Sequence, residues 1–287
     1  MLLSDAFQLF LDDKYVYAAA DTVRYYKDSL SGFIKWLCDL GIDDTQQLDQ
    51  DLLKQYAIYL RDVRKIKNTS IHTYFRGIKN FSLFCIDQHF CDYFNYKIRL
   101  PRPDPDLVLP LSSVEVDQIF NYIKDNTSYR NYDSYNLMIR LMLDMGLRLS
   151  EVINLKFSDV DFERKILRIT NSKYNKSRIL PIPDIVFGCM LKLYVSGLPH
   201  CHFIIISDSG IESFFARMKR STRIQRLHPH LLRHTFATSY MLQRGNLEFL
   251  RMYLGHSSYD VTKRYIHISS ELMICSYDCY QIDPVFK

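Results

Sequence analysis

HPHLLRHTFATSYMLQRGNLEFLRMYLGHSSYDVTKRYIHIS, residues 228–269, is the stretch from which the rest of the 287-residue chain is read. His230 and Arg233 stand three positions apart, so on a helix they share one face. Gly255 can adopt a backbone conformation that other residues resist, and so would end one helix and turn the chain at His256. Tyr265 follows nine residues later. A guanidinium, two imidazoles and a phenol brought to one place suit a phosphodiester. The arginine clamps non-bridging oxygens, the histidines move protons or donate hydrogen bonds, and the phenol oxygen can attack. Taken singly, each has a plainer reading: interior or surface histidines, and one of 21 tyrosines.

The totals set the frame. With 47% hydrophobic and 24% charged residues, the chain is expected to be soluble and globular, and its length suggests two domains. It has no long apolar run, and its N-terminus lacks the basic-then-apolar layout of a signal peptide, so a cytoplasmic protein without membrane contact is expected. Seven cysteines without a Cys-x-x-Cys spacing argue against a disulfide framework. Cys38, Cys85 and Cys189 lie in apolar surroundings and read as small core residues. The His200-Cys201-His202 triplet lacks a second ligand pair nearby, and no metal site is expected.

A net charge of +5 says less than its distribution. Residues 1–60 carry 5 basic and 10 acidic side chains. Arg61, Arg64, Lys65, Lys67, Arg76 and Lys79 then face one acid, Asp62, and residues 212–233 repeat the ratio of six to one. Either run alone would be a solvated face. Two, one in each half, look like two jaws on a polyanion. The expected DNA contacts are those six residues together with Lys176, Arg178, Arg220, Arg223 and Arg226.

The first 100 residues hold no proline and three glycines, which favours helices. Val23, Tyr26, Leu30, Phe33, Ile34 and Leu37 recur at helical spacing before a stop at Gly41, and Leu53, Tyr56, Ala57, Leu60 and Val63 mark another helix. Asn68-Thr69-Ser70 offers caps for a third, and a short helix near residues 4–12 completes a four-helix bundle. Pro101, Pro103, Pro105 and Pro110 then force an extended linker. The expected division is a helical DNA-clamp domain over 1–97, a proline-rich linker over 98–110, and a second domain over 111–287. In that second domain Ser112-Ser113 opens a helix and Tyr135–Met145 is a strongly apolar one. Lys165–Thr170 and Ser177–Ile182 read as strands around a turn. Helices are expected over Ser213–Lys219, Leu231–Leu242 and Leu247–Leu254, with another carrying Tyr265 and a last one near 271–280. The fold class is mainly α with a small antiparallel β-sheet.

His-x-x-Arg at 230–233, Leu-Gly-His at 254–256 and Tyr265, in that order, resemble the signature of the tyrosine recombinase (phage integrase) superfamily. Gly146-Leu147-Arg148-Leu149-Ser150-Glu151 is similar to that family's first catalytic segment. The resemblance implies an N-terminal SAM-like core-binding domain and a mixed α/β catalytic domain. It also implies that Arg148, Lys173, His230, Arg233, His256 and Tyr265 are catalytic, with Glu151 in support. A bare reading makes Arg148 and Glu151 an i, i+3 ion pair worth a few tenths of a kcal/mol. Lys173 is flanked by Ser172 and Tyr174 rather than by the usual glycines, and Lys176 competes for its role. The chain length matches a compact Xer-like recombinase or a simple integrase, without the arm-binding domain of larger members.

By the same resemblance, Tyr265 would form a 3′-phosphotyrosine and release a 5′-hydroxyl. An unperturbed phenol has a pKa near 10, so His230 would serve as its base. Arg148 and Arg233 would hold the non-bridging oxygens, Lys173 would protonate the leaving oxygen, and His256 would donate to the phosphate. No cofactor is needed: neither an acidic metal cluster nor a Gly-x-x-x-x-Gly-Lys loop is present in the sequence. The expected function is site-specific recombination by a homo-tetramer on two double-stranded DNA sites through a Holliday junction. The terminal helix either closes its own domain or docks on a neighbouring subunit. A type IB topoisomerase-like DNA-relaxing enzyme and a non-catalytic DNA-binding protein are the alternatives.

Overall fold

The computed structural model describes residues 1–101, 109–171, 176–196, 201–243 and 245–255. Lys173, His200, His256, Tyr265 and the expected terminal helix lie outside them. The chain divides into two compact units, Met1–Asp106 and Leu107–Lys287.

The first unit is helical. It comprises α1 (Leu3–Tyr17), α2 (Ala20–Asp39), α3 (Gln50–Ile58) and α4 (Asn68–Asp87). The apolar stripe read from Leu30, Phe33 and Leu37 is buried, and Phe10, Leu53, Ile78 and Phe81 close the core around it. Phe10 meets Phe81 edge-on with ring centroids 5.6 Å apart. Gly77 brings α4 against α2: a Cβ there would lie 2.3 Å from Ser29 Oγ. At the end of α3 the helix widens into a π turn, Tyr59–Val63.

Three local expectations fail in this unit. Val63 is 67% exposed, because the extra residue in the π turn rotates it off the stripe after Leu60. Cys38 is exposed, standing one position, and so about 100°, beyond buried Leu37. Helix α4 already begins at Asn68, so Lys67 occupies the cap position and makes no side-chain cap.

The second unit surrounds one buried helix. Its helices are α5 (Ser113–Asn126), α6 (Tyr129–Leu143), α7 (Leu149–Ile153), α8 (Asp184–Val195), α9 (Asp208–Thr222), α10 (Pro229–Leu242) and α11 (Leu247–Leu254). Leu137, Met138, Ile139, Leu141 and Met142 are all fully buried, which places the C-terminal half of α6 at the centre of the core, with Arg140 there paired to Asp144. Ser112 and Glu115 cap α5 reciprocally. Strands β1 (Val160–Asp161), β2 (Ile166–Asn171) and β3 (Lys176–Pro181) form an antiparallel sheet in sequence order. Opposed residues share a face, and the buried pair Leu167–Leu180 marks the inner one. Arg178, opposite Ile169, is on that face too.

Left-handed backbone occurs at Gly146 and Gly255, and also at Lys65, Lys165 and Arg223. Among the described residues no helix is long and apolar enough to cross a membrane.

Candidate active site

Gly146 ends the α6 segment at φ +63°, a conformation that favours glycine. The turn sets Arg148 at the N-cap of α7, where its backbone N–H donates to Glu151 Oε2 at 2.8 Å. Its guanidinium reaches the other oxygen, Nη1 to Oε1 at 3.0 Å, while Nη2 donates to the Gly255 carbonyl at 3.2 Å.

Arg233 arrives from α10, the helix opened by Pro229. Its side chain is 5% exposed. Nη1 donates to the Gly146 carbonyl at 2.6 Å and Nη2 to the Leu254 carbonyl at 2.7 Å. Nη1 also lies 3.9 Å from Glu151 Oε2. Arg148 and Arg233, from separate segments, therefore approach one carboxylate. The turns on either side of them are left-handed glycines, Gly146 and Gly255.

A third guanidinium completes the group. Arg178 holds Glu151 at two points, Nη1 to Oε1 at 2.9 Å and Nη2 to Oε2 at 2.8 Å. Burial raises the Glu151 pKa, but the hydrogen bonds and charge of Arg178, followed by those of Arg148, bring it below its ordinary value. Arg178, a DNA contact on the evidence of sequence alone, instead binds Glu151. Its strand parity with Leu180 was the signal that it points inward.

His230 reaches the surface near the start of α10. Partial desolvation lowers its pKa, and the charges of Arg233, His228 and Arg148 lower it further. A neutral imidazole beside two guanidiniums can accept a proton at neutral pH. Lys173, His256 and Tyr265 lie outside the described residues.

Among the expected DNA contacts, Arg61, Arg64, Lys65, Lys67, Arg76 and Lys79 are all exposed in the first unit. Arg61 is paired with Asp62 at 2.7 Å. In the second unit Arg220, Arg223 and Arg226 are exposed. Arg226 forks onto Glu115 at 2.5 and 2.7 Å and donates to the Pro110 carbonyl at 3.2 Å. Lys176 begins β3, opposite Asn171. Among the described residues no cluster of three or more histidine, cysteine or acidic side chains could hold a metal ion.

The profile of the Phage integrase family matches residues 110–271. A protein named "Probable integrase/recombinase" from Acholeplasma phage L2 is 31% identical over 179 residues, 58% of this chain and 60% of that protein. The tyrosine recombinase XerC of Staphylococcus aureus (strain USA300 / TCH1516) is 26% identical over 281 residues, 87% of each chain. The Tn1549 transposon integrase, solved in complex with transposon right end DNA, matches with a TM-score of 0.71 at 17% identity. That match covers 96% of this chain and 99% of the other, and at this identity it is a likeness of fold.

Proposed function

The chain belongs to the phage integrase family of tyrosine recombinases, and we propose that it cuts and rejoins double-stranded DNA at specific core sites. The observation that carries this reading is the approach of Arg148 and Arg233 to one carboxylate, beside an imidazole with a lowered pKa. Two guanidiniums held this way suit the charge that builds on non-bridging oxygens in a pentavalent phosphorus transition state. Preorganised donors of that kind contribute about 3–4 kcal/mol each.

In this reading Tyr265 attacks phosphorus as its proton passes to His230. The bond from phosphorus to the 5′ oxygen breaks, Lys173 supplies the proton to that oxygen, and His256 donates to the phosphate. The phosphoester survives as a 3′-phosphotyrosine, so rejoining to a second strand requires neither ATP nor a metal ion. The first unit, through its exposed Arg64–Lys79 cations, and the second, through Arg220 and Arg223, hold the phosphate backbone. Recombination runs through a Holliday junction in a homo-tetramer on two sites. The segment after Tyr265 contacts a neighbouring subunit, and the protein works in the cytoplasm.

The test is covalent trapping on nicked suicide duplexes tiled across the DNA flanking the gene, alongside a pool of random-sequence nicked duplexes. The wild-type chain is expected to form a protein–DNA ester and Tyr265→Phe none. Trapping by the Phe variant, or none by the wild type on either set, overturns the reading. Exchange between two labelled sites, rather than relaxation alone, marks a recombinase.

A further inference from the structure

We propose that Arg178 is a positioning residue for strand cleavage, holding the Glu151 carboxylate in the orientation from which it aligns Arg148. The inference rests on the recombinase reading for the work that Arg148 does, whereas the Arg178–Glu151 contact stands apart from it.

An arginine on the inner face of a hairpin, opposite Ile169, is costly unless its charge is opposed. Glu151 opposes it at both terminal nitrogens, with Arg178 and Glu151 side chains only 11% and 9% exposed, while Arg178 Nε is buried without a hydrogen-bond partner. The two-point fork is planar and directional, a geometry that lysine cannot reproduce. Each carboxylate oxygen then accepts two hydrogen bonds. Oε1 takes Arg178 Nη1 and Arg148 Nη1, and Oε2 takes Arg178 Nη2 and the Arg148 backbone N–H. Four lone-pair sites are filled, which leaves the carboxylate no freedom to turn.

A rival partner stands close by. Arg233 Nη1 is 3.9 Å from Glu151 Oε2, just beyond hydrogen-bond reach. With Arg178 removed, the carboxylate is free to swing toward Arg233 and draw it from the Gly146 carbonyl. Arg178 therefore keeps Glu151 on Arg148 and leaves Arg233 in its own seat. It also offsets the carboxylate charge, so the field of Arg148 and Arg233 remains available to a phosphate.

Gly255 locks the strut from the other side. A Cβ there would come 3.0 Å from Arg178 Nη1, and the same residue's carbonyl accepts from Arg148 Nη2. Arg178 thus ties β3 to the carboxylate at the start of α7, while Arg148, on the same carboxylate, holds the turn after α11.

Among the described residues, the charged groups facing Glu151 are Arg148 at the start of α7, Arg178 on β3 and Arg233 on α10. Without Arg178, burial raises the Glu151 pKa against weaker opposition. The experiment follows the Glu151 carboxyl carbon by NMR in glutamate-labelled full chain, and in parallel measures single-turnover trapping on the nicked duplex pool. In Arg178→Met the carboxyl is expected to titrate at clearly higher pH than in the wild type. Cleavage should slow by about 10²-fold, the penalty of a misplaced catalytic group, at unchanged half-saturating DNA concentration. The rate should recover as pH rises through the new titration. Glu151→Gln with Arg178→Met should be no slower than Glu151→Gln alone, since one residue acts through the other.

An unchanged Glu151 titration in Arg178→Met, or a full additional loss in the double variant, overturns the proposal. Should Arg178→Met fail to fold, Arg178→Lys decides: intermediate behaviour supports the two-point fork, and wild-type behaviour in both measurements overturns it. A wild type that traps no DNA sinks the recombinase reading, while the NMR titration still judges the Arg178–Glu151 contact.

Discussion

The Gly146 carbonyl accepts a 2.6 Å hydrogen bond from Arg233 Nη1, so a backbone turn takes part in seating this arginine. That turn admits no Cβ. At φ +63° a Cβ would fall 2.5 Å from Phe236 Cδ1 and 2.9 Å from Leu254 Cδ2. Gly146→Ala is expected to cost about 2–4 kcal/mol, from left-handed strain and overpacking together. It should also lower trapping activity more than Leu149→Ala on the adjoining helix. Urea denaturation and single-turnover cleavage check both.

Helices α2 and α4 meet at Gly77. Gly77→Ala places a methyl 2.3 Å from Ser29 Oγ and 3.2 Å from its Cβ, which should destabilise the first unit by about 1–3 kcal/mol. Ser29→Ala removes the nearer atom. The double variant should therefore recover most of the loss, a non-additivity that thermal unfolding of the four proteins reads directly.

His234 carries a pH signature of its own. Burial, then the charge of His228, lowers its pKa to about 4 from an ordinary 6.5. The unfolded chain takes up the proton first, so stability falls as pH drops from 6.5 toward 4 and levels off below. The partly exposed ring reduces the expected loss to on the order of 2 kcal/mol. The unfolding free energy of the wild type, from urea denaturation, should fall by that amount relative to His234→Leu as the solution is acidified. Parallel curves would refute the assignment.

Glu115 behaves oppositely. Hydrogen bonds from Arg226 lead in lowering its pKa to about 2, against burial and with help from Ser112. Its stabilisation is present above the ordinary 4.5 and is lost as pH falls toward 2. Arg226 is 40% exposed, so Arg226→Gln should cost only about 1 kcal/mol at neutral pH and less near pH 2. Unfolding at the two pH values measures the difference.

For His230, a pKa below the ordinary range means that the neutral base predominates at pH 7. Cleavage by the wild type should be flat across neutral pH and decline only on the acid side. A profile that instead rises through pH 7 to 9 would assign the base to another group.

Periodicity made the helices legible because their burial is one-sided. Leu30, Phe33 and Leu37 on α2 show it, as do the alternating residues of β2 and β3. Helix α8 was missed for the opposite reason. It buries Val186, Met190 and Leu193 yet exposes Ile185, Leu191, Tyr194 and Val195, so no stripe stands out. Pro183 before Asp184 was the signal that remained. The family motif supplied Arg148, Glu151 and Arg233. Partner choice was hidden, because Arg226 finds Glu115, and Arg178 finds Glu151, across long sequence separations that no local pattern encodes.

Lys65, Lys165 and Arg223 hold φ values of 52°, 53° and 60°, where glycine would sit with less strain. Relaxing such turns with glycine is an ordinary route to thermostability, worth roughly 1 kcal/mol per site. At Lys65 and Arg223 that route deletes a cation from each of the two basic clusters proposed to hold DNA, so gains in heat tolerance there are expected to trade against that proposed grip. At Lys165, whose ammonium is already held by Asp184 at 2.6 Å and lies 5.2 Å from the Phe187 ring centroid, the exchange sacrifices a surface ion pair and a cation–π contact.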